Sequence, residues 1–260
     1  DLNNGQADEA FAQVKDHPYL NLLGLHCHIG SQIFETDGFA LAAGKVMNKM
    51  GAWKQTHGFE CSVLNLGGGF GIRYTEEDKP LEPHVYVEEM IKSVQAEAEA
   101  VKLAMPEIWI EPGRSLVGDA GTSLYTVGSQ KTVPGVREYI AVDGGMSDNI
   151  RPALYDAKYE AIIANKANQA KDATYTVAGK LCESGDKLII DAALQKAESG
   201  DILAMFCTGA YGYSMASNYN RVPRPAVVFV EAGEHQLAIR RESYDDIVVN
   251  DLPLTLKKGE

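Results

Sequence analysis

The sequence has no run of roughly 18 apolar residues, the length a helix needs to cross a bilayer, which predicts no membrane-spanning helix. It is also short of basic residues: 24 Lys plus Arg against 36 Asp plus Glu leave a net charge of −12. A field of that sign repels phosphate backbones and anionic lipid surfaces, so nucleic acid and membrane are excluded as expected partners. The start, Asp1-Leu2-Asn3-Asn4, has neither the basic region nor the apolar stretch of a secretion signal. It lacks an initiator Met as well, which predicts a processed or truncated chain. The four cysteines, Cys27, Cys61, Cys182 and Cys207, form no C-x-x-C pair, and the six histidines are not spaced around them as zinc ligands are. The expectation is free thiols in a reducing, cytoplasmic compartment, and no metal site.

What is present is ordinary globular material: 45% apolar residues over 260 positions, enough for one large domain or two smaller ones. The first part alternates strand and helix. Phe39, Ala43, Val46, Met50 and Trp53 fall on one helical face, and Val87, Ile91, Val94, Ala98 and Val101 on another. Strands are expected near Leu22–His28, Cys61–Leu66 and Ile108–Ile110, so the unit reads βαβαβ with parallel strands. After residue 117 the texture changes to short strands at Ser123–Gly128, Tyr139–Val142, Thr174–Ala178, Leu188–Asp191, Ile202–Phe206, Ala226–Val230 and Gln236–Arg240. Turn signals separate them, among them Pro134-Gly135, Asp143-Gly144-Gly145, Ser199-Gly200-Asp201 and Ala232-Gly233-Glu234. The expected fold class is therefore α/β over residues 1–117 followed by an all-β barrel or sandwich over 118–260, with Lys257 to Glu260 a solvated tail. Three βα units cannot close a (β/α)8 barrel, which takes about 250 residues. Preceding strands are expected to be missing.

Each strand of the first part runs into a distinctive turn: His28-Ile29-Gly30-Ser31, Gly67-Gly68-Gly69-Phe70 and Glu111-Pro112-Gly113-Arg114. Gly-rich and Ser- or Arg-bearing turns at the ends of parallel strands are how such proteins build phosphate sites. The glycines permit close backbone approach and offer amides, Ser31 a hydroxyl, Arg114 a fork of donors; a tight strand-to-helix turn is the plainer alternative. Glu111 beside such a pocket is explained if the bound molecule also carries a protonated nitrogen. Pyridoxal phosphate has both a phosphate and a pyridine nitrogen. A surface ion pair between Glu111 and Arg114 is the alternative. His26 and His28, at strand period two, point to one face, and His28 adjoins Ser31.

These three segments together resemble the fold-type III pyridoxal-phosphate decarboxylases. Asn149-Ile150-Arg151-Pro152-Ala153-Leu154-Tyr155, Cys182-Glu183-Ser184-Gly185-Asp186 and Gly209-Ala210-Tyr211-Gly212-Tyr213 narrow the likeness to the diaminopimelate decarboxylases, over about residues 20 to 245. The resemblance implies the C-terminal portion of a (β/α)8 barrel enzyme that makes L-lysine and carbon dioxide from meso-diaminopimelate. It implies His28 stacked on the pyridoxal ring, and the phosphate held by Ser31, Gly68, Gly69, Gly113, Arg114 and Tyr211. Glu111 then faces the ring nitrogen. Arg114, Arg151, Tyr155, Glu183 and Tyr211 are expected to line the substrate, and Cys182 to return a proton after carbon dioxide leaves. It also implies a homodimer, because in this family the Cys182 segment crosses into the partner's site. The distal end of the substrate carries a carboxylate, which suits an Arg151 fork, and an ammonium, which suits Glu183.

One departure matters. The family's Schiff-base lysine lies on the first barrel strand in an aromatic-Ala-x-Lys-Ala-Asn-like motif, and this chain has no counterpart. Lys166-Ala167-Asn168 looks similar but follows Tyr155 in the β-rich part. The chain alone is therefore expected to be inactive. The alternatives are a decarboxylase of ornithine, arginine or carboxynorspermidine, or a non-catalytic truncated paralogue that binds a partner as a regulator.

Overall fold

A computed structural model describes residues 2–254; the tail residues Lys257 to Glu260 lie outside the described part. Two compact units divide at Gly118 and Asp119. No described helix is long and apolar enough to cross a membrane.

The first unit runs α1 (Gln6–Val14), β1 (Gly24–His26), α2 (Asp37–His57), β2 (Val63–Asn65), α3 (Pro83–Val101), β3 (Glu107–Trp109) and α4 (Arg114–Val117). The three strands pair in parallel in the order β1-β2-β3, with His26, Asn65 and Trp109 side by side in one row. Each strand has only three residues; β1 and β2 are shorter than expected, and β3 begins one residue earlier than expected.

Local signals delimit the helices. Gly58, in the left-handed region, ends α2, and Pro83 opens α3, where a missing N–H costs nothing. The face expected for α2 is buried throughout: Phe39, Ala43, Val46, Met50 and Trp53. On α3 the expected face is turned by about one residue. Tyr86, Met90, Val94 and Ala98 are buried, whereas Ile91 is 42% exposed. Tyr86 is drawn inward because its hydroxyl donates to Ile33 O (2.9 Å) and its ring stacks on Phe70 at 4.9 Å. Phe70 directly follows the glycine triplet, so this stack seats the triplet against α3. The unpredicted α1 packs Phe11 on Trp53 (4.3 Å), while Asp8 accepts from Trp53 Nε1 (2.7 Å) and Lys49 Nζ (2.9 Å).

The second unit is mostly β: β4 (Ser123–Val133), β5 (Arg137–Val142), α5 (Arg151–Tyr155), β6 (Ala161–Ile163), β7 (Ala173–Ala178), β8 (Lys187–Leu194), β9 (Ile202–Met205), β10 (Val227–Glu231), β11 (Glu234–Ile239) and α6 (Tyr244–Ile247). Six strands form one sheet in the order β6-β9-β4-β5-β7-β8. The long β4 changes partner along its length, from β9 over Ser123–Thr126 to β5 from Val127 onward, with a register shift between Val127 and Gln130. Gly128 sits in that shift, as glycine does at bulges. The outer strands of this curled sheet approach each other, where Ile163 N on β6 donates to Gln195 Oε1 just past β8 (2.9 Å). Strand β6, three residues with no alternation, escaped the sequence reading. β10 and β11 form a separate hairpin whose two turn residues, Ala232 and Gly233, both have positive φ, the geometry that matches strand twist.

Candidate active site

In the first unit the three loops after β1, β2 and β3 meet at the carboxyl edge of the sheet, and the glycine triplet is what lets them meet. A Cβ on Gly68 lies 2.0 Å from Glu111 O, and one on Gly69 lies 2.2 Å from Gly30 O. Any side chain there collides with backbone, so the middle loop touches both neighbours only as glycine. Gly69 also has φ +104, outside the range of L side chains. Hydrogen bonds fasten the arrangement: Ile33 N to Gly69 O (2.9 Å), Gly71 N to Ile33 O (2.9 Å) and Glu111 N to Gly67 O (2.7 Å).

Onto this frame the loops place their side chains. Arg114, buried at the first turn of α4, donates from Nη2 to Ser31 Oγ (2.8 Å) and from Nη1 to Tyr74 Oη, with its guanidinium 5.5 Å from the Tyr74 ring. Glu111 takes different partners. Its Oε1 accepts from Asn65 Nδ2 (2.9 Å) and its Oε2 lies 3.4 Å from His26 Nε2. Those partners come from the His26–Asn65–Trp109 row; Glu111 is two residues beyond Trp109 and so returns to the same face. A Glu111–Arg114 ion pair, the plainer expectation, is replaced by this division of partners. The loop amides take side-chain partners as well: Gly67 N donates to Asn65 Oδ1 (2.8 Å) and Gly68 N to His28 Nδ1 (3.4 Å). His28 is exposed with its ring held at one edge by that contact, and Gly113 leaves open space where its Cβ would lie.

In the second unit Arg151 is buried at the start of α5. Its Nη1 donates to Tyr159 Oη (2.6 Å), and its guanidinium sits 5.8 Å from the Tyr159 ring and 5.9 Å from the Tyr211 ring. Tyr211 is 43% exposed and adopts positive φ (59), as does Cys207 (58) in the same loop. Backbone in that region is costly for non-glycine residues and persists where surroundings enforce it. Tyr155, at the end of α5, is 61% exposed. Cys182 and Glu183 lie exposed on the loop between β7 and β8, where Glu183 Oε2 accepts from Tyr219 Oη (3.2 Å). That carboxylate raises the Tyr219 hydroxyl pKa. The four cysteines are free thiols. Lys166, the look-alike of the missing lysine, ends a 3-10 turn with its amine 2.7 Å from Asp201 and 3.1 Å from Glu198.

Residues 2–118 match the family described as pyridoxal-dependent decarboxylase, pyridoxal binding domain. Diaminopimelate decarboxylase from Bacillus subtilis (strain 168) is 63% identical over 253 residues, covering 97% of this chain and 58% of that protein. Over residues 2–118 the chain is similar to the pyridoxal-dependent decarboxylases. Within the family, diaminopimelate decarboxylase of Bacillus methanolicus is also 63% identical, over 242 residues, with 93% of this chain and 56% of that protein covered. A crystal structure of diaminopimelate decarboxylase from M. jannaschii in co-complex with L-lysine superposes with a TM-score of 0.90 at 36% identity, covering 98% of this chain and 57% of that one. The chain thus spans somewhat over half the length of the relatives it matches.

Several side chains at this family site were not legible beforehand. Asn65 left a faint trace, a polar residue closing the apolar Val63-Leu64 run. Tyr74, Tyr159 and Tyr219 left none, because each acts on a partner that only the fold brings near.

Proposed function

We propose that this chain is the portion of a pyridoxal-phosphate-dependent carboxy-lyase that holds the coenzyme's phosphate and ring nitrogen and grips the substrate. Its parent converts meso-2,6-diaminopimelate to L-lysine and carbon dioxide. The first unit is then the last three βα units of a (β/α)8 barrel and the second its C-terminal β domain. The rest of the parent carries the lysine that anchors the coenzyme, and the working form is a homodimer.

The observation that carries this reading is the meeting of the three loops, with a guanidinium and a hydroxyl at one place and a carboxylate held by an amide donor on the neighbouring strand row. The donor set fits the coenzyme. Arg114 and Ser31 offer a charged fork and a hydroxyl to a phosphate dianion, lined by the backbone of Gly68, Gly69 and Gly113. Glu111, oriented by Asn65 and His26, stabilises a protonated ring nitrogen, and His28 lies against the ring. Bound pyridoxal phosphate supplies an electron sink for the pair released when the bond to the departing carboxylate breaks.

The chain's own residues do the rest. Arg151 forks onto the distal carboxylate, its direction set by Tyr159 and Tyr211. Glu183 takes the distal ammonium, with Tyr155 and Tyr211 beside the substrate. Cys182 delivers a proton to the carbon that lost carbon dioxide. A diamine precursor without a second carboxylate makes no use of Arg151, which separates this reading from an ornithine decarboxylase.

The test is carbon dioxide release by this chain joined to the remainder of its parent, with coenzyme, on meso-diaminopimelate, ornithine and arginine. Release from meso-diaminopimelate, sharply reduced by Arg151→Ala, is expected. Release from ornithine or arginine only overturns the substrate assignment.

A further inference from the structure

The loop that carries Cys182 and Glu183 is exposed, yet its base is closed by a side chain with no assigned role. Asp186 is 4% exposed. Its Oδ2 accepts from Leu181 N (2.8 Å), at the near end of the same loop. Its Oδ1 accepts from Met146 N (2.6 Å), in the turn that follows β5 and leads into α5. The Asp186 backbone adds a bond on each side, O accepting from Gly179 N (2.9 Å) and N donating to Glu183 O (3.1 Å). Lys180 N donates to Gly144 O (3.1 Å), so the two loops are joined beside the carboxylate as well.

The surroundings are shaped to this carboxylate. A Cβ on Gly179 would lie 2.1 Å from Asp186 Oδ2, and one on Gly145 would lie 2.5 Å from Oδ1. Two glycines, one from each loop, therefore leave room for the carboxylate and for nothing longer. Asn keeps one acceptor but turns an N–H toward a backbone N–H at the other. Glu adds a methylene where neither glycine gives space.

We propose that Asp186 is the positioning residue for Cys182. Its carboxylate ties the Cys182 loop at its base to the loop leading into α5, and this holds the thiol where it delivers its proton. The inference rests on the reading of Cys182 as proton donor, and it concerns only this chain's own loops.

The experiment has two arms. Amide hydrogen exchange on the parent protein reads the tie itself: Asp186→Asn is expected to speed exchange at Leu181 and Met146 together, leaving β4 and β9 protected. Steady-state kinetics read its consequence: kcat falls about a hundred-fold, the scale set by a misplacement near 1 Å, while KM changes little. The solvent deuterium effect on kcat rises as proton delivery becomes slower. In a Cys182→Ala background Asp186→Asn adds no further loss, since it acts through that thiol.

Gly179→Ala displaces the carboxylate without removing it, gives the same phenotype, and adds nothing to Asp186→Ala. Unchanged exchange at Leu181 and Met146 overturns the tie. Equal losses of kcat with and without Cys182, or losses that track only global melting, overturn the positioning role. If the wild type releases no carbon dioxide from meso-diaminopimelate, the functional reading fails while the exchange arm still decides whether Asp186 holds the loops.

Discussion

Arg114 divides its guanidinium between Ser31 and Tyr74, and that division makes lysine a poor substitute, since a point charge on a flexible stem reproduces neither the fork nor its direction. Losing a charge-assisted contact is worth about 1.5–3 kcal/mol. Arg114→Lys is therefore expected to weaken pyridoxal phosphate binding roughly ten- to hundred-fold, read by spectrophotometric titration of the coenzyme. A second residue-scale outcome concerns acid. Glu242 accepts from Arg224 Nε (2.7 Å), Arg224 N (2.8 Å) and Asn218 Nδ2 (2.6 Å), and the Arg224 side chain foremost lowers its pKa from 4.5 to about 2. A depressed carboxylate stabilises the fold fully above its unfolded pKa and ceases to do so as pH falls through the folded value. Glu242→Gln should thus lower the melting temperature near neutral pH, and the difference from wild type should shrink between pH 4.5 and about 2. At this scale the sequence singled out Ser31, Glu111 and Arg114 because each stands in a distinctive turn after a strand. Asn65 and Asp186 stayed hidden because one partner of each, Glu111 for Asn65 and Met146 for Asp186, lies in a loop distant along the chain.

Among elements, the contact of α2 with α3 tests how finely periodicity can be read. The expected α3 stripe and the observed one share Val94 and Ala98 and differ in their first two turns, where Tyr86 and Met90 replace Val87 and Ile91 in the core. Apolar residues fall on both neighbouring faces there, and only the Tyr86 hydroxyl bond to Ile33 and its stack on Phe70 choose between them. Met90→Ala is expected to destabilise by about 2–5 kcal/mol, as buried truncations do, against about 0.5 kcal/mol for Ile91→Ala at an exposed site. Urea unfolding of the two variants distinguishes the registers. Apart from β6, the strands of the second unit were readable from their alternation and turns, but not their order in the sheet. Order depends on which strand β4 pairs with along its length, and a single residue string does not carry that.

At the scale of the whole molecule, the three-stranded parallel sheet leaves the outer edges of β1 and β3 unpaired among the described residues. Leu20, Leu23 and Trp109 are exposed around it. Unpaired edges with apolar neighbours invite association. The isolated chain is expected to self-associate with rising concentration in sedimentation experiments and to release no carbon dioxide from meso-diaminopimelate. Adding the rest of the parent should suppress the first behaviour and restore turnover. That the chain spans only part of the length of its relatives agrees with the small number of βα units before the β-rich part. The closeness of Ile163 to Gln195 was not legible in the sequence, because it depends on β4 pairing with β9 and then β5 across the register shift around Gly128.

The Lys166 amine, fixed between Asp201 and Glu198, has its pKa raised, foremost by the Asp201 hydrogen bond. An ammonium held that way has no lone pair to give to carbonyl reagents. Borohydride trapping of an added aldehyde should therefore leave this lysine unlabelled, and a covalent catalytic amine would have to come from polypeptide other than this segment.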